Sequence, residues 1–180
     1  MESNFFNVVE GRRSIRRYLA KPVSDDVIYK ILELAHMAPA AGNLDNWHFV
    51  IVEDETKRLR LGVECNHQYW MSEAPVLIVV LSEDKRLTRV FGEKDGSLFA
   101  VQNTSVAIQN LLLAAHGFGL GACWTGSFYE PSVKEIVGCP DDWSVQAVIT
   151  LGYPAEQPPK PRRRDVKDVI SFELKGRKQH

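Results

Sequence analysis

Apolar residues recur at helical spacing over much of this chain, interrupted by short runs that read as strands. Residues 4–10 predict a short helix ending at Gly11. Ser24 stands as an N-cap, with Asp25 and Asp26 in the first turn, where carboxylates complement the helix dipole. Val27, Ile28, Ile31, Leu34, Ala35 and Ala38 then follow helical spacing, and Pro39 stops the helix. Residues 40–46 are small and polar, a loop. Residues 47–52 are rich in β-formers and read as a buried strand. A short polar helix follows over 55–63, and the apolar run 74–81, opened by Pro75, predicts a strand buried on both faces.

Residues 83–96 are charged, contain two glycines and have weak periodicity, which predicts an excursion or lid over a site. Residues 97–116 predict a long helix that is apolar around most of its circumference, as in a core or a subunit interface. Gly117, Gly119 and Gly121 break it. A short strand over 122–124, a proline-started helix over 131–137 and a buried strand over 144–151 come next. Residues 154–161 are proline-rich and extended. The basic tail beyond carries Val166, Val169, Ile170 and Phe172, so it is expected to pack somewhere. With no repeat and no linker, residues 1–180 read as one domain, α+β or three-layer αβα.

The composition narrows the classes. At 180 residues and 44% hydrophobic, the chain can bury a core as an ordinary globular protein. A formal net charge of −1 gives no overall attraction to nucleic acid or to an anionic membrane. The first residues show no secretory signal. The apolar stretch 106–115 contains Gln109 and Asn110 and is too short and too polar to span a bilayer. Cys65, Cys123 and Cys139 form no CxxC pair, which argues for reduced thiols in a cytoplasmic protein. His36, His48, His67, His116 and His180 lack metal-ligand spacing, so no metal site is expected. His36 and His116 come late in helical segments, where a partly exposed histidine suits the dipole.

Four segments could carry chemistry, and each has a plainer reading. Arg12, Arg13, Ser14 and Arg16 lie in a turn. Guanidiniums offer planar forks of donors that suit a phosphate, whose charge of about −1.5 to −2 needs two or three of them; a solvated basic turn is the alternative. Pro39, Ala40 and Asn43 belong to a small-residue loop that lets a backbone approach a ligand closely, with an amide able to pair with a ring edge. It could also be an ordinary connection. Residues 117–126 are glycine-rich but follow a helix and precede a strand, the reverse of a dinucleotide fingerprint. Glycine helix caps explain part of this segment. Trp124, Thr125 and Gly126 could still present backbone N–H groups to a flat ligand. Arg162, Arg163 and Arg164 close the set, or form a disordered basic tail.

Together these segments resemble the nitroreductase family from about Asn4 to Glu173. Residues 12–16 (RRSIR) are similar to its N-terminal phosphate motif, and residues 39–49 to its small-residue loop entering a strand at a tryptophan. Residues 109–115 with Gly119-Leu120-Gly121 are similar to its central helix and exit, and Leu151-Gly152-Tyr153-Pro154 with the late arginines to its closing strand and C-terminal contact.

The resemblance implies an α+β, three-layer αβα domain with a mixed, mainly antiparallel sheet, in an intertwined homodimer with one FMN at each subunit interface. It implies that Arg12 and Arg16, with Arg13 beside them, hold the phosphate and ribityl chain, that Ser14 faces the FMN, and that Pro39, Ala40 and Asn43 contact the flavin region. Trp124, Thr125 and Gly126 would line the ring, and Arg164 with Arg162 would return to the phosphate. The implied activity is an FMN-dependent oxidoreductase using NAD(P)H to reduce nitroaromatic, quinone or similar acceptors by a ping-pong mechanism. The cofactor carries the chemistry, so no catalytic side chain is expected. Reductive dehalogenation, small-metabolite dehydrogenation and non-catalytic flavin binding are the alternatives. Ala40 replaces a usual serine, and Asp45-Asn46 replace Gln-Pro. Asp45 would either point away from an anionic reduced flavin or lower its potential. The short 83–96 region implies an open site.

Overall fold

A computed structural model describes residues 5–171; Asn4, Phe172 and Glu173 lie outside the described residues. The elements run α1 (Phe5–Gly11), α2 (Asp25–His36), β1 (Trp47–Val52), α3 (Glu55–Glu64), β2 (Val76–Ser82), α4 (Lys85–Gly117), β3 (Gly121–Thr125), α5 (Glu130–Val137) and β4 (Ser144–Gly152). Short 3-10 turns cover Ala41–Asn43, Tyr69–Glu73 and Val166–Asp168.

The four strands form one sheet in the order β1-β2-β4-β3, and every neighbouring pair is antiparallel. The parallel component is a single bridge between Ser14 and Ala122. β2 lies inside the sheet and is buried along its whole length, as its unbroken apolar run requires. Val76, Ile78 and Val80 face one side and pack with Ile28, Ile31, Ile108 and Leu111 of α2 and α4. Leu77, Val79 and Leu81 face the other, with Leu61, Met71, Val133 and Ile136 from α3, the 69–73 turn and α5. Alternation along the strands thus makes a three-layer αβα arrangement.

Two expectations need correction. Residues 83–96 are not an irregular excursion: helix begins at Lys85 and continues in name to Gly117. Gly92, at φ 77° and ψ 166°, breaks it in a conformation open essentially to glycine. The first part folds back on the second, because a Cβ at Gly96 would lie 2.5 Å from the Thr88 Cα. Residues eight apart on a straight helix are separated by about 12 Å. Leu87 is fully buried in this corner, and Phe91 meets Phe99 edge-on at 5.0 Å. Among the described residues, α4 is the one helix long and apolar enough to cross a membrane, yet nearly half of its apolar window is buried inside this fold.

The second correction concerns β1, expected as a buried strand: it lies at the edge of the sheet and only Val52 is buried. In the tail, Val166, Val169 and Ile170 are more than half exposed. Ser24 does occupy the N-cap of α2, but its carbonyl accepts the Val27 and Ile28 N–H groups while its side chain makes no capping bond.

Candidate active site

The arginine-rich segment is placed by backbone pairing on both sides. Ile15 N–H donates to Ala122 O at 3.1 Å, and Leu19 N–H donates to Tyr153 O at 2.9 Å. Tyr18 seals the strip from below: its hydroxyl reaches Ile15 O and the Thr150 hydroxyl, and burial pushes its pKa well above the ordinary phenol value. In such an extended segment alternate side chains point to opposite sides. Ser14 bridges Ala122, next to Cys123 on β3. Burial pushes the Cys123 thiol up, while Arg16, a Ser14 hydrogen bond and Arg12 pull it down. Ile15 packs against Gly121.

The arginines are not equivalent. Arg12 is half-buried and has no ion-pair or hydrogen-bond partner for its side chain among the described residues. Arg16 is exposed, with its guanidinium carbon 5.8 Å from the centroid of the Trp70 ring. Arg13 closes the end of α1 instead: Nη1 donates to the carbonyls of Glu10, Gly11 and Arg12 at 2.7, 3.2 and 2.9 Å. Its Nε is buried without a partner among the described residues. Arg162, Arg163 and Arg164 are exposed.

His116, in the last turn of α4, sits against Gly11; a Cβ there would lie 2.6 Å from its Nε2. Its pKa is lowered, first by burial and then by Arg12 and Arg13. The histidine is partly exposed at the C-terminus of its helix, where the sequence placed it. His36 also ends its helix, but its Nδ1 accepts from Trp47 Nε1 at 3.1 Å.

Trp124 is partly exposed at the outer strand β3 and shares a face with Ala122. Thr125 points inward, where its hydroxyl donates to Met71 Sδ at 3.8 Å, so its side chain faces away from solvent. Gly126 is exposed beyond it.

The small-residue loop lies elsewhere. Pro39 is exposed and Ala40 half-buried before a tight turn in which Gly42 (φ 60°) and Asn43 (φ 57°) are both left-handed. Glycine adopts that conformation freely, and asparagine tolerates it. Phe91 comes within 3.0 Å of a Cβ built at Gly42, so the folded-back start of α4 walls the loop. Asp45 turns to Arg86, Oδ1 to Nη2 at 3.1 Å, with Oδ2 4.0 Å from His36 Nδ1. Asn46 is buried.

The sheet order separates these parts. The loop enters β1 at one edge, and Trp124 with the arginine strip lines β3 at the other. Three strand spacings make about 14 Å across the sheet. Trp47 pairs with Ser82, which pairs with Ser144, whereas Thr125 pairs with Val148. That adds about 13 Å along the strands. One chain therefore sets Arg12, Ser14, Arg16 and Trp124 along the β3 edge and leaves Pro39, Ala40 and Asn43 at the far corner.

Sequence reasoning missed Trp70 and Asn103. Trp70 gave no motif. Asn103 did leave a signal, an amide on the otherwise apolar face of α4.

Comparison with known proteins identifies the family. The model of the nitroreductase family matches residues 9–66 and 57–153. A putative NADH dehydrogenase/NAD(P)H nitroreductase of Methanothermobacter thermautotrophicus is 36% identical over 154 residues, covering 83% of this chain and 77% of the relative. Among solved structures, the FMN-dependent nitroreductase of Clostridium difficile R20291 superposes with a TM-score of 0.79 at 27% identity, covering 94% of this chain and 99% of that one. The NADPH:FMN oxidoreductase of Vibrio harveyi, complexed with NAD+, superposes at 0.85 with 25% identity, covering 97% and 79%. With its arginine strip, glycine-hinged loop and αβα layers in place, this chain belongs to the nitroreductase family of oxidoreductases.

Proposed function

We propose that the chain is an FMN-dependent NAD(P)H oxidoreductase that reduces nitroaromatic, quinone or similar electron-poor acceptors, and that it works as a homodimer. The supporting observation is the division of the expected site between opposite corners of one sheet. A two-fold partner would bring the 39–43 loop of one chain to the arginine strip of the other. The surface suits this. Phe5, Phe6, Met37 and Phe118 are exposed, as are Leu98, Val101 and Val106 on the free face of α4. A groove of about 510 Å³ runs between α1, α2 and the end of α4. Contiguous apolar surface of this kind marks an interface. The exposed Val166, Val169 and Ile170 would then pack on the partner and carry Arg162 and Arg164 toward a phosphate.

The residues fit FMN. Arg12 is an unpaired, half-buried cation beside the Ser14 hydroxyl, and Arg16 is steadied by Trp70, a donor set for a phosphate monoester. Arg13 serves the end of α1 and supports the strip rather than reaching the ligand through Nη1. Bound FMN would supply acceptance of hydride from the nicotinamide and its delivery to the acceptor in a ping-pong cycle. The chain's own residues bind, orient and exclude water. Asp45 is held by Arg86 and so does not oppose charge on the ring. Unpaired thiols suit a reducing, cytoplasmic setting.

The test is to load the purified protein with FMN and add NADH or NADPH without oxygen. Bleaching of the flavin absorbance, reversed by a nitroaromatic, is expected. A protein that takes up no FMN would overturn the reading, and FMN that neither nucleotide reduces would leave a flavin-binding protein without this activity.

A further inference from the structure

We propose that Asn103 is a positioning residue that sets the shape of the 40–46 loop for flavin binding. The inference rests on the reading that this loop closes on a flavin.

Asn103 is 4% exposed, in the middle of α4. A buried primary amide is costly unless its donors and acceptor find partners. Here every partner is in the loop. Asn103 Oδ1 accepts the Ala41 N–H at 2.9 Å, and Nδ2 donates to Leu44 O at 3.1 Å and to Asn46 Oδ1 at 3.0 Å. The loop is gripped before and after its two left-handed residues, Gly42 and Asn43.

The grip continues into the sheet. Asn46 Nδ2 donates to Ser82 Oγ at 2.6 Å and to Ala100 O at 3.3 Å, and Ser82 Oγ donates to Asp84. The Glu83 N–H donates to Asn46 O at 2.8 Å. Asn103 and Asn46 therefore tie the loop to the rigid end of β2 and to α4. A loop with few apolar contacts would otherwise sample many shapes, and a ligand would have to select one, which weakens its apparent affinity. Asn46, which stands where the family pattern has proline, takes part in the grip through its side chain.

Asn103→Leu removes all three bonds while keeping a side chain of similar size. Thr104→Val is the matched control: Thr104 is buried one residue along α4, and its hydroxyl bonds only to Ala100 O and Val101 O of its own helix. FMN dissociation constants and the visible circular dichroism of bound FMN are compared, with folding checked by far-ultraviolet dichroism. The expected result is a tenfold or greater loss of FMN affinity and an altered flavin signal in N103L, with near wild-type values in T104V. Equal behaviour of the two variants would overturn the proposal. A second measurement needs no variant. In the wild-type protein the Ala41 amide, held by Asn103 Oδ1, should exchange with solvent far more slowly than the neighbouring amide of exposed Gly42, and comparable rates would also overturn it. Failure of the wild type to bind FMN is a separate result, one that counts against the functional reading.

Discussion

Ile15 occupies the space that a side chain at Gly121 would need. A Cβ at that position would lie 2.7 Å from Ile15 Cγ1 and 2.8 Å from its Cβ and Cγ2. This contact lets the arginine strip lie against β3, since Ile15 N–H also bonds to Ala122 O. A β-branched side chain cannot swing aside cheaply. Gly121→Ala should therefore destabilise the protein by about 1–3 kcal/mol, the usual cost of overpacking. It should also weaken FMN binding by displacing Arg12 and Ser14 from Trp124. Thermal unfolding and FMN titration of G121A check both effects.

Arg12 is half-buried without an ion pair among the described residues, and Arg16 is exposed beside the Trp70 ring. Replacing both by alanine should leave the circular dichroism and melting temperature close to wild type and abolish retention of FMN through gel filtration. Unchanged flavin content in that double variant would contradict the phosphate assignment.

The two-chain site can be tested by mixing. Arg12→Ala damages the strip, and Gly42→Val damages the loop, because a β-branched residue is strained at φ 60° and Phe91 stands 3.0 Å away. Each variant alone should bind FMN poorly. Refolded together, random pairing should restore roughly a quarter of the sites, since a mixed two-fold dimer carries one site with both changes and one with neither. No recovery would place both halves of the site in one chain.

His116 gives the stability a pH dependence of known sign. Burial, with Arg12 and Arg13 nearby, lowers its folded pKa below the ordinary 6.5. Between the two values the unfolded chain binds the extra proton, so stability is complete above the unfolded pKa and falls as pH drops through that window. The melting temperature should decline as pH falls from neutral toward the folded pKa, and His116→Gln should flatten the decline. A profile unchanged by the substitution would remove His116 as its source.

Most elements were legible in the sequence because their signals are local. The apolar run of β2, the helical spacing of α2 and the proline near the start of α5 each act within a few residues. The 85–91 segment was not legible as helix. Its apolar periodicity is too short to register, and what holds it is distant: Leu87 buried in the corner made by Gly92, and Gly96 against Thr88. What the tail packs on was not legible for a related reason. Val166, Val169 and Ile170 show that a surface must be covered, but nothing in their spacing says which chain covers it.

The sequence by itself determined the helices and strands, the αβα class, the two arginine clusters and the family. Those follow from periodicity and from residue types whose chemistry travels with them. Only the tertiary structure decided which candidates stand together. Strand order carried the 39–43 loop to one edge of the sheet and Trp124 to the other, and the folded-back start of α4 turned Asp45 to Arg86. Strand order is set by long-range pairing, which no local pattern encodes. The resemblance had already implied a flavin shared between subunits, and the separation of these two edges within one chain now gives that expectation a physical reason.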